Sequence, residues 1–348
     1  MKLTIAKNMQ NSASTIAIAC GVYRFLRYLN RKKVRIIMYH NISDYPTKWT
    51  NKKSSLNVKV NVFERQIKFL KENYNVISLH DLVEHQIPKN ALIITFDDGF
   101  YNNYRAFQIL NQYDLTASFF IVADSTINQK INSKEKLSYI INKKGEKYVE
   151  LVFKKRFPNH YKKLNYFKAK DNNNYMSEAI TSLLTKKEID VFTSYIFKEK
   201  ISKLETRSIY LNRKQIEEMT SKGMTIGNHS LTHPILSKLN ISDLSIELAQ
   251  SKKQLENSIK KRVDCFAIPY GITESYNESI LKEIKKTGYS VSLTAISGLN
   301  DKKYNIFELK RISVIDEPLN AFKLRIEGFY GFLENLLTKV KFLRIAIK

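Results

Sequence analysis

Short apolar runs alternate with amphipathic stretches along most of the chain. Arg35-Ile36-Ile37-Met38-Tyr39-His40 reads as a strand, and Phe63, Ile67 and Leu70 then mark one face of a helix. Leu92-Ile93-Ile94-Thr95-Phe96 is β-branched and bounded by turn residues, so it reads as a buried strand. A helix through Ala106, Ile109 and Leu110 follows, then a strand at Ser118-Phe119-Phe120-Ile121-Val122. After an interruption the alternation resumes: helix at 213–222, strand at Met224-Thr225-Ile226-Gly227, and a helix from Ser242 to Lys261 with Leu244, Leu248, Leu255 and Ile259 on one side. Strands at Phe266-Ala267-Ile268 and Ser290-Val291-Ser292-Leu293 flank a helix through Ile280 and Ile284, and Arg311-Ile312-Ser313-Val314 is a last strand candidate. This alternation implies an α/β fold with a parallel sheet covered by helices. About seven strands predict closure as a distorted (β/α) barrel, with an open doubly wound sheet as the alternative.

The interruption, 127–206, is dense in Lys and Asn, carries Asp171-Asn172-Asn173-Asn174, and is too long for a loop in a compact domain. It reads as an inserted helical subdomain or lid within a domain spanning 34–315. Outside that domain lie a basic segment, 1–33, and a C-terminal stretch, 316–348. In the first, the apolar run Thr15 to Val22 is too short to span a bilayer. Tyr23, Leu26 and Leu29, with Arg24, Arg27 and Arg31 between them, continue it at helical spacing, which favours an amphipathic helix on a membrane or on the domain. A secretory signal cleaved near Ala17-Ile18-Ala19 is the alternative. Phe329, Phe332, Leu333, Leu336, Leu337 and Val340 predict a second amphipathic helix, followed by Lys339, Lys341, Arg344 and Lys348.

Charge sharpens the picture. The chain has 58 Lys+Arg against 33 Asp+Glu, a formal net charge of +25. That excess suits an anionic membrane or an acidic substrate, or simply a charged solvated surface. No zinc-finger spacing, RNP-like motif or basic region with heptads points to nucleic acid. Cys20 and Cys265 cannot form a disulfide framework and are expected as small buried residues.

Two constellations carry chemistry. Thr95-Phe96-Asp97-Asp98-Gly99 places adjacent carboxylates at the C-terminal end of a buried strand, where barrel active sites gather. Asn228-His229-Ser230-Leu231-Thr232-His233-Pro234 follows another strand, and its i, i+4 histidines are expected on one side of a helical turn, able to share a metal. A carboxylate plus two imidazoles leaves an open coordination position, as catalytic metals require.

These motifs resemble the first two of the NodB-homology polysaccharide deacetylases. Phe266-Ala267-Ile268-Pro269-Tyr270-Gly271 resembles the third, in the form found in PgaB- and IcaB-like enzymes. Met38-Tyr39-His40, Ala117-Ser118-Phe119-Phe120 and Leu309-Lys310-Arg311-Ile312 add matches, so that the resemblance covers about 34–126 and 207–315. It implies a divalent metal, Zn²⁺ being the expectation, held by Asp98, His229 and His233. It implies Asp97 as general base and the Tyr270 backbone N–H as oxyanion donor. Three departures stand out. No arginine occupies the motif-three neighbourhood, where Ala267 sits, no Asp-x-x-Asp-Trp motif surrounds the single Trp49, and no histidine follows His233. His40 is therefore the candidate general acid, or else a structural strand-end histidine. His80, His85 and His160 are expected at the surface.

The expected activity is N-deacetylation of an N-acetylhexosamine in a bacterial surface glycan or its lipid-linked precursor. Deformylation or O-deacetylation of a lipid-linked sugar, or an inactive glycan- or membrane-binding protein, are the alternatives. The basic ends favour peripheral attachment to the cytoplasmic face of the inner membrane over export to the envelope.

Overall fold

Consecutive residues of the predicted strands face two different apolar layers, and this places the core. The computed structural model describes residues 12–331 apart from 46, 51–55, 85, 171–174 and 302. Within it, β1 (Arg35–Tyr39), β2 (Ala91–Phe96), β3 (Ser118–Ile121), β4 (Thr225–Asn228), β5 (Cys265–Ala267), β6 (Val291–Leu293) and β7 (Ile312–Ser313) lie in the order β7-β1-β2-β3-β4-β5-β6. All six neighbouring pairs are parallel. Every residue of β1 and β2 is buried, as parallel strands covered on both faces require. Ile37, Ile94, Phe119 and Phe266 pack under the surrounding helices, while Ile36, Ile93, Phe120 and Ala267 fill the inside of the curl.

The segment 306–313 draws the sheet round. Leu309 N–H donates to Ser292 O (3.2 Å) and Thr294 N–H to Leu309 O (2.8 Å), and three residues on, Ile312 registers with Ile37 of β1. The fold is thus the α/β, distorted (β/α) barrel that the alternation predicts. Two short pairings escape the sequence pattern: Asn41–Ile42 with Asn57–Val58, and Asn75–Val76 alongside β2. Two residues are too few to show a period.

The helices used below are α1 (Val22–Leu29), α2 (Val60–Asn73), α3 (Asn103–Gln112), α4 (Ser133–Lys144), α5 (Arg213–Ser221), α6 (Ile241–Ile259), α7 (Glu278–Lys286) and α8 (Leu319–Ile326). Between β3 and α5 the chain is helical and has a core of its own, built on Leu137, Val149, Phe153, Met176, Ile180 and Phe192. Trp49, Phe100, Ile209 and Tyr210 form a smaller cluster where this insert meets the barrel.

At the N-terminal end of the strands a buried network joins distant segments. Arg35 grips Glu327 at 2.6 and 3.0 Å, Tyr74 donates to Glu327 Oε1 at 2.6 Å, and Asn30 donates to the Glu327 carbonyl at 3.1 Å. α1 therefore packs on the barrel. Cys265 is buried but Cys20 is exposed, because it lies in the turn between the helical residues 12–19 and α1. Most of the apolar repeat between Phe329 and Val340, its trailing lysines, and His85 lie outside the described residues. Among the described residues no helix is long and apolar enough to cross a membrane.

Candidate active site

β2 ends at Phe96, and the backbone then turns abruptly. Asp98 (φ 72°) and Gly99 (φ 66°) both adopt left-handed conformations, so that Asp97 and Asp98 project separately from one strand end. A Cβ at Gly99 would lie 3.1 Å from Ile121 Cδ1, on top of that backbone demand. Ser230 (φ 66°), His233 (φ 60°) and Tyr270 (φ 62°) share the left-handed region. Four of the eight described non-glycine residues with positive φ thus sit in the three motifs. Each costs on the order of 1–3 kcal/mol and persists because its surroundings over-determine it.

The histidine motif corrects one expectation. Residues 229–235 are not helical. The i, i+4 spacing works instead through a loop clamped by Glu247 of α6, buried on the barrel side of that helix. Its Oε2 accepts from Leu231 N–H and Thr232 N–H at 2.9 Å each, and its Oε1 from the Thr232 hydroxyl at 2.5 Å. His233 N–H donates to Ser230 Oγ at 2.9 Å. The signal was present in the sequence: a carboxylate placed on the same helical face as Leu244 and Leu248.

The clamp brings two imidazoles to Asp98. His229 Nε2 lies 3.6 Å and His233 Nε2 3.4 Å from Asp98 Oδ1, and the two Nε2 atoms are 3.2 Å apart. His229 Nδ1 faces the Ala267 carbonyl at 2.8 Å, so Nδ1 carries the hydrogen and Nε2 presents its lone pair inward. Burial, with Lys134 and His229 nearby, holds the His233 ring well below its ordinary pKa, hence neutral and able to ligate. All three side chains are buried, and their ligand atoms lie within 4.8 Å of one another. One carboxylate and two imidazoles converging in this way could hold a divalent metal.

Asp97 is held separately. Motif three supplies no arginine, and one from another segment holds the carboxylate instead. Arg311, one residue before β7, donates from Nη1 to Asp97 Oδ1 and from Nη2 to Asp97 Oδ2, both at 2.7 Å. Its Nε donates to the Thr294 carbonyl at 2.7 Å, which fixes the plane of the fork. Burial alone would raise the Asp97 pKa, but Arg311 and His229 outweigh it and keep the carboxylate ionised. Arg311 was visible as a charge inside a candidate strand, though its partner was not. The pairing of β7 with β1, which in turn pairs with β2, brings it there.

Lys134, at the start of α4, is a site residue that the sequence reading did not single out. Its Nζ lies 3.2 Å from Asp98 Oδ2 and 6.0 Å from the centre of the Tyr270 ring. Nothing in a Lys-rich insert marks it beforehand. His233, Tyr270 and Lys134 line a cavity of about 30 Å³ with Thr181 and Leu184 of the insert, room for ordered water. Tyr270 stands against His233, ring centres 4.9 Å apart, and its amide forms no hydrogen bond among the described residues. A Cβ at the following Gly271 would fall 2.4 Å from Ala295 N, so this turn admits no side chain there.

His40, directly after β1, reaches the same strand end. The Asn103 side chain donates to its carbonyl at 2.6 Å, and its Nδ1 is buried without a partner among the described residues. Burial lowers its pKa despite the nearby Asp98 and Asp97. His80 is half exposed and pairs with Asp264 at 3.1 Å on the opposite end of the barrel, while His160 is partly exposed in the insert.

With this geometry in place, residues 142–292 match the polysaccharide deacetylase family model. Over that segment the chain is similar to the polysaccharide deacetylases. The matched span includes His229, His233 and Tyr270, while Asp97, Asp98 and Arg311 lie outside it and join the site through the fold. YxkH of Bacillus subtilis, a polysaccharide deacetylase by name, is 23% identical over 289 residues, covering 81% of this chain and 71% of its own. Among solved structures, the Streptococcus pyogenes deacetylase PplD in complex with acetate superposes with a TM-score of 0.53 at 20% identity, covering 81% of this chain and 92% of that one. IcaB from Ammonifex degensii gives a TM-score of 0.53 at 14% identity, covering 86% and 97%. At these identities the superpositions establish the shared fold. The matched segment supports a hydrolase of the deacetylase type, and the buried Asp-His-His group could hold a metal.

Proposed function

We propose that this deacetylase removes the acetyl group from the amide nitrogen of an N-acetylhexosamine, in a bacterial surface polysaccharide or its lipid-linked precursor. The observation that carries the reading is the division of labour between neighbouring carboxylates. Asp98 faces His229 and His233, while Asp97 faces Arg311 and remains outside the ligand group.

A Zn²⁺ ion held by Asp98, His229 and His233 would polarise the acyl carbonyl and acidify the attacking water. Asp97, ionised and fixed in orientation by Arg311, accepts the proton of that water. The Tyr270 amide donates to the carbonyl oxygen as negative charge develops on it. The departing nitrogen needs a proton. His40, neutral at rest and close enough to couple electrostatically to Asp97, is the group that relays it. Lys134 is a positive charge beside the reacting centre, contributed by the insert. A lipid-linked substrate would place the reaction at an anionic membrane, on its cytoplasmic face.

The test is acetate release by Zn²⁺-loaded protein from N-acetylglucosamine oligomers and lipid-linked N-acetylhexosamines, with Asp97→Asn alongside. Release by the wild type, and none by a variant that still binds metal, is expected. No release from any substrate by the fully metal-loaded wild type would overturn the reading.

A further inference from the structure

Helix α1 has a broad apolar arc opposite Arg24 and Arg27, and the barrel covers only part of it. Facing inward, Tyr23 is buried against Phe69, ring centres 6.0 Å apart, and shares a 3.1 Å hydrogen bond with Tyr74. Val22, with Ala17 and Ile18 of the helical residues before it, packs on the same core. Facing outward are Phe25, Tyr28 and Leu29, which are 62%, 63% and 53% exposed, with Ile16 at 65%. Positions 25, 28 and 29 follow i, i+3, i+4, so these side chains form one continuous ridge. A contiguous exposed apolar ridge of this kind marks an interaction surface.

Cations surround the ridge. Arg24 and Lys32 are exposed, and Arg31 lies over the Tyr28 ring at 4.0 Å. Beside the helix, a groove of about 840 Å³ is lined by Arg24, Arg27, Arg65, Lys68 and Lys323, against one acid, Glu72. None of those five cations has a carboxylate partner among the described residues. Lys323 instead lies 5.0 Å over Phe69.

We infer that this face docks the protein on an anionic lipid bilayer, with Phe25, Tyr28 and Leu29 inserted at the acyl–headgroup boundary and the surrounding cations among the lipid phosphates. Aromatic and leucine side chains on one face, with arginine and lysine around them, are the composition of helices that lie in that interface. Guanidinium and ammonium heads can stay with the phosphates while their stems follow the apolar ridge. A polyanion such as nucleic acid would engage the groove but leave the ridge in water. The same argument disfavours a free phosphate as the ligand. The inference is independent of which sugar or acyl group the active site takes, because α1 lies outside that site.

Cosedimentation of the full-length protein with vesicles of phosphatidylcholine containing a third phosphatidylglycerol, and with pure phosphatidylcholine, tests it. Binding to the anionic vesicles alone is expected, weakening as salt is raised. Phe25→Ser/Tyr28→Ser/Leu29→Ser should weaken it about tenfold or more, and Arg24→Glu/Lys32→Glu should do the same. Both variants should keep the wild-type circular dichroism and the activity on soluble oligomers, which separates a failure here from a failure of the proposed reaction. Absence of binding to anionic vesicles, or equal binding by the triple-serine variant, would overturn the inference. So would a wild-type dimer that the triple variant dissolves, which would make the ridge a contact between copies.

Discussion

Arg311 and Asp97 exchange two charge-assisted hydrogen bonds where both side chains are nearly inaccessible, at 1% and 3% exposure. Replacing Arg311 by Lys keeps the charge but loses the fork, so the carboxylate can rotate. A kcat lower by on the order of ten- to a hundredfold is expected, with the Zn²⁺ stoichiometry unchanged. Activity and metal content measured on the same sample check this, and undiminished kcat would show that the fork is only structural. Glu135 offers a test by pH. It is buried in the insert, accepts a 2.9 Å hydrogen bond from Tyr210, and burial pushes its carboxyl up to about 7 from an ordinary 4.5. Between those values the folded chain binds more protons than the unfolded one. The stability that the neutral carboxyl contributes is therefore complete below about 4.5 and is lost as pH rises through about 7. Relative to wild type, Glu135→Gln should spare on the order of 2–3 kcal/mol of the loss between pH 5 and pH 8. Urea midpoints at the two pH values decide it, and an equal loss in both proteins would exonerate Glu135.

At the scale of elements, the strand–turn units that carry the site were readable because each unit is local. Asp97 and Asp98 end an apolar run, His229 follows another, and a few residues suffice to show both. What escaped was whatever depends on two distant segments meeting. Arg311 reaches Asp97 only because β7, far along the chain, pairs with β1, the neighbour of β2. Glu247 reaches the 231–232 amides only because α6 packs behind their loop. The i, i+4 histidines illustrate the same limit in reverse. The spacing picked out two histidines that do converge, but the helix it suggested is absent, since left-handed residues at 230 and 233 bring the rings together by another path. Glu247→Gln puts this account at risk. An amide offers one acceptor oxygen where the carboxylate offers two, and its NH₂ would oppose a donor. Zn²⁺ affinity should fall roughly 10- to 100-fold, by competition with a chromogenic chelator, while the circular dichroism stays native. Unchanged affinity would mean the loop holds its shape without the clamp.

Taken whole, the molecule has two apolar centres of unequal kind. The two layers of the barrel core together touch all seven strands, whereas the insert has its own core and meets the barrel at a small cluster around Trp49. Trp49 is the only tryptophan in the chain and stacks on Tyr139 of α4, ring centres 4.8 Å apart and planes 29° from parallel. Its fluorescence therefore reports whether the insert is seated. Cores of separate elements open as separate cooperative units when few buried contacts join them. The junction is that kind of boundary, and besides it Lys134 ties the insert to Asp98 across 3.2 Å. In a urea titration the Trp49 emission should shift to the red at a lower concentration than the loss of far-ultraviolet circular dichroism, because most of the helix and sheet survives unseating. The site would then lose Lys134 before it loses Asp97, Asp98, His229 or His233, which all belong to the barrel. Coincident transitions would instead show that barrel and insert unfold as one unit, and that the insert is a wall of the active site rather than a part that can lift from it.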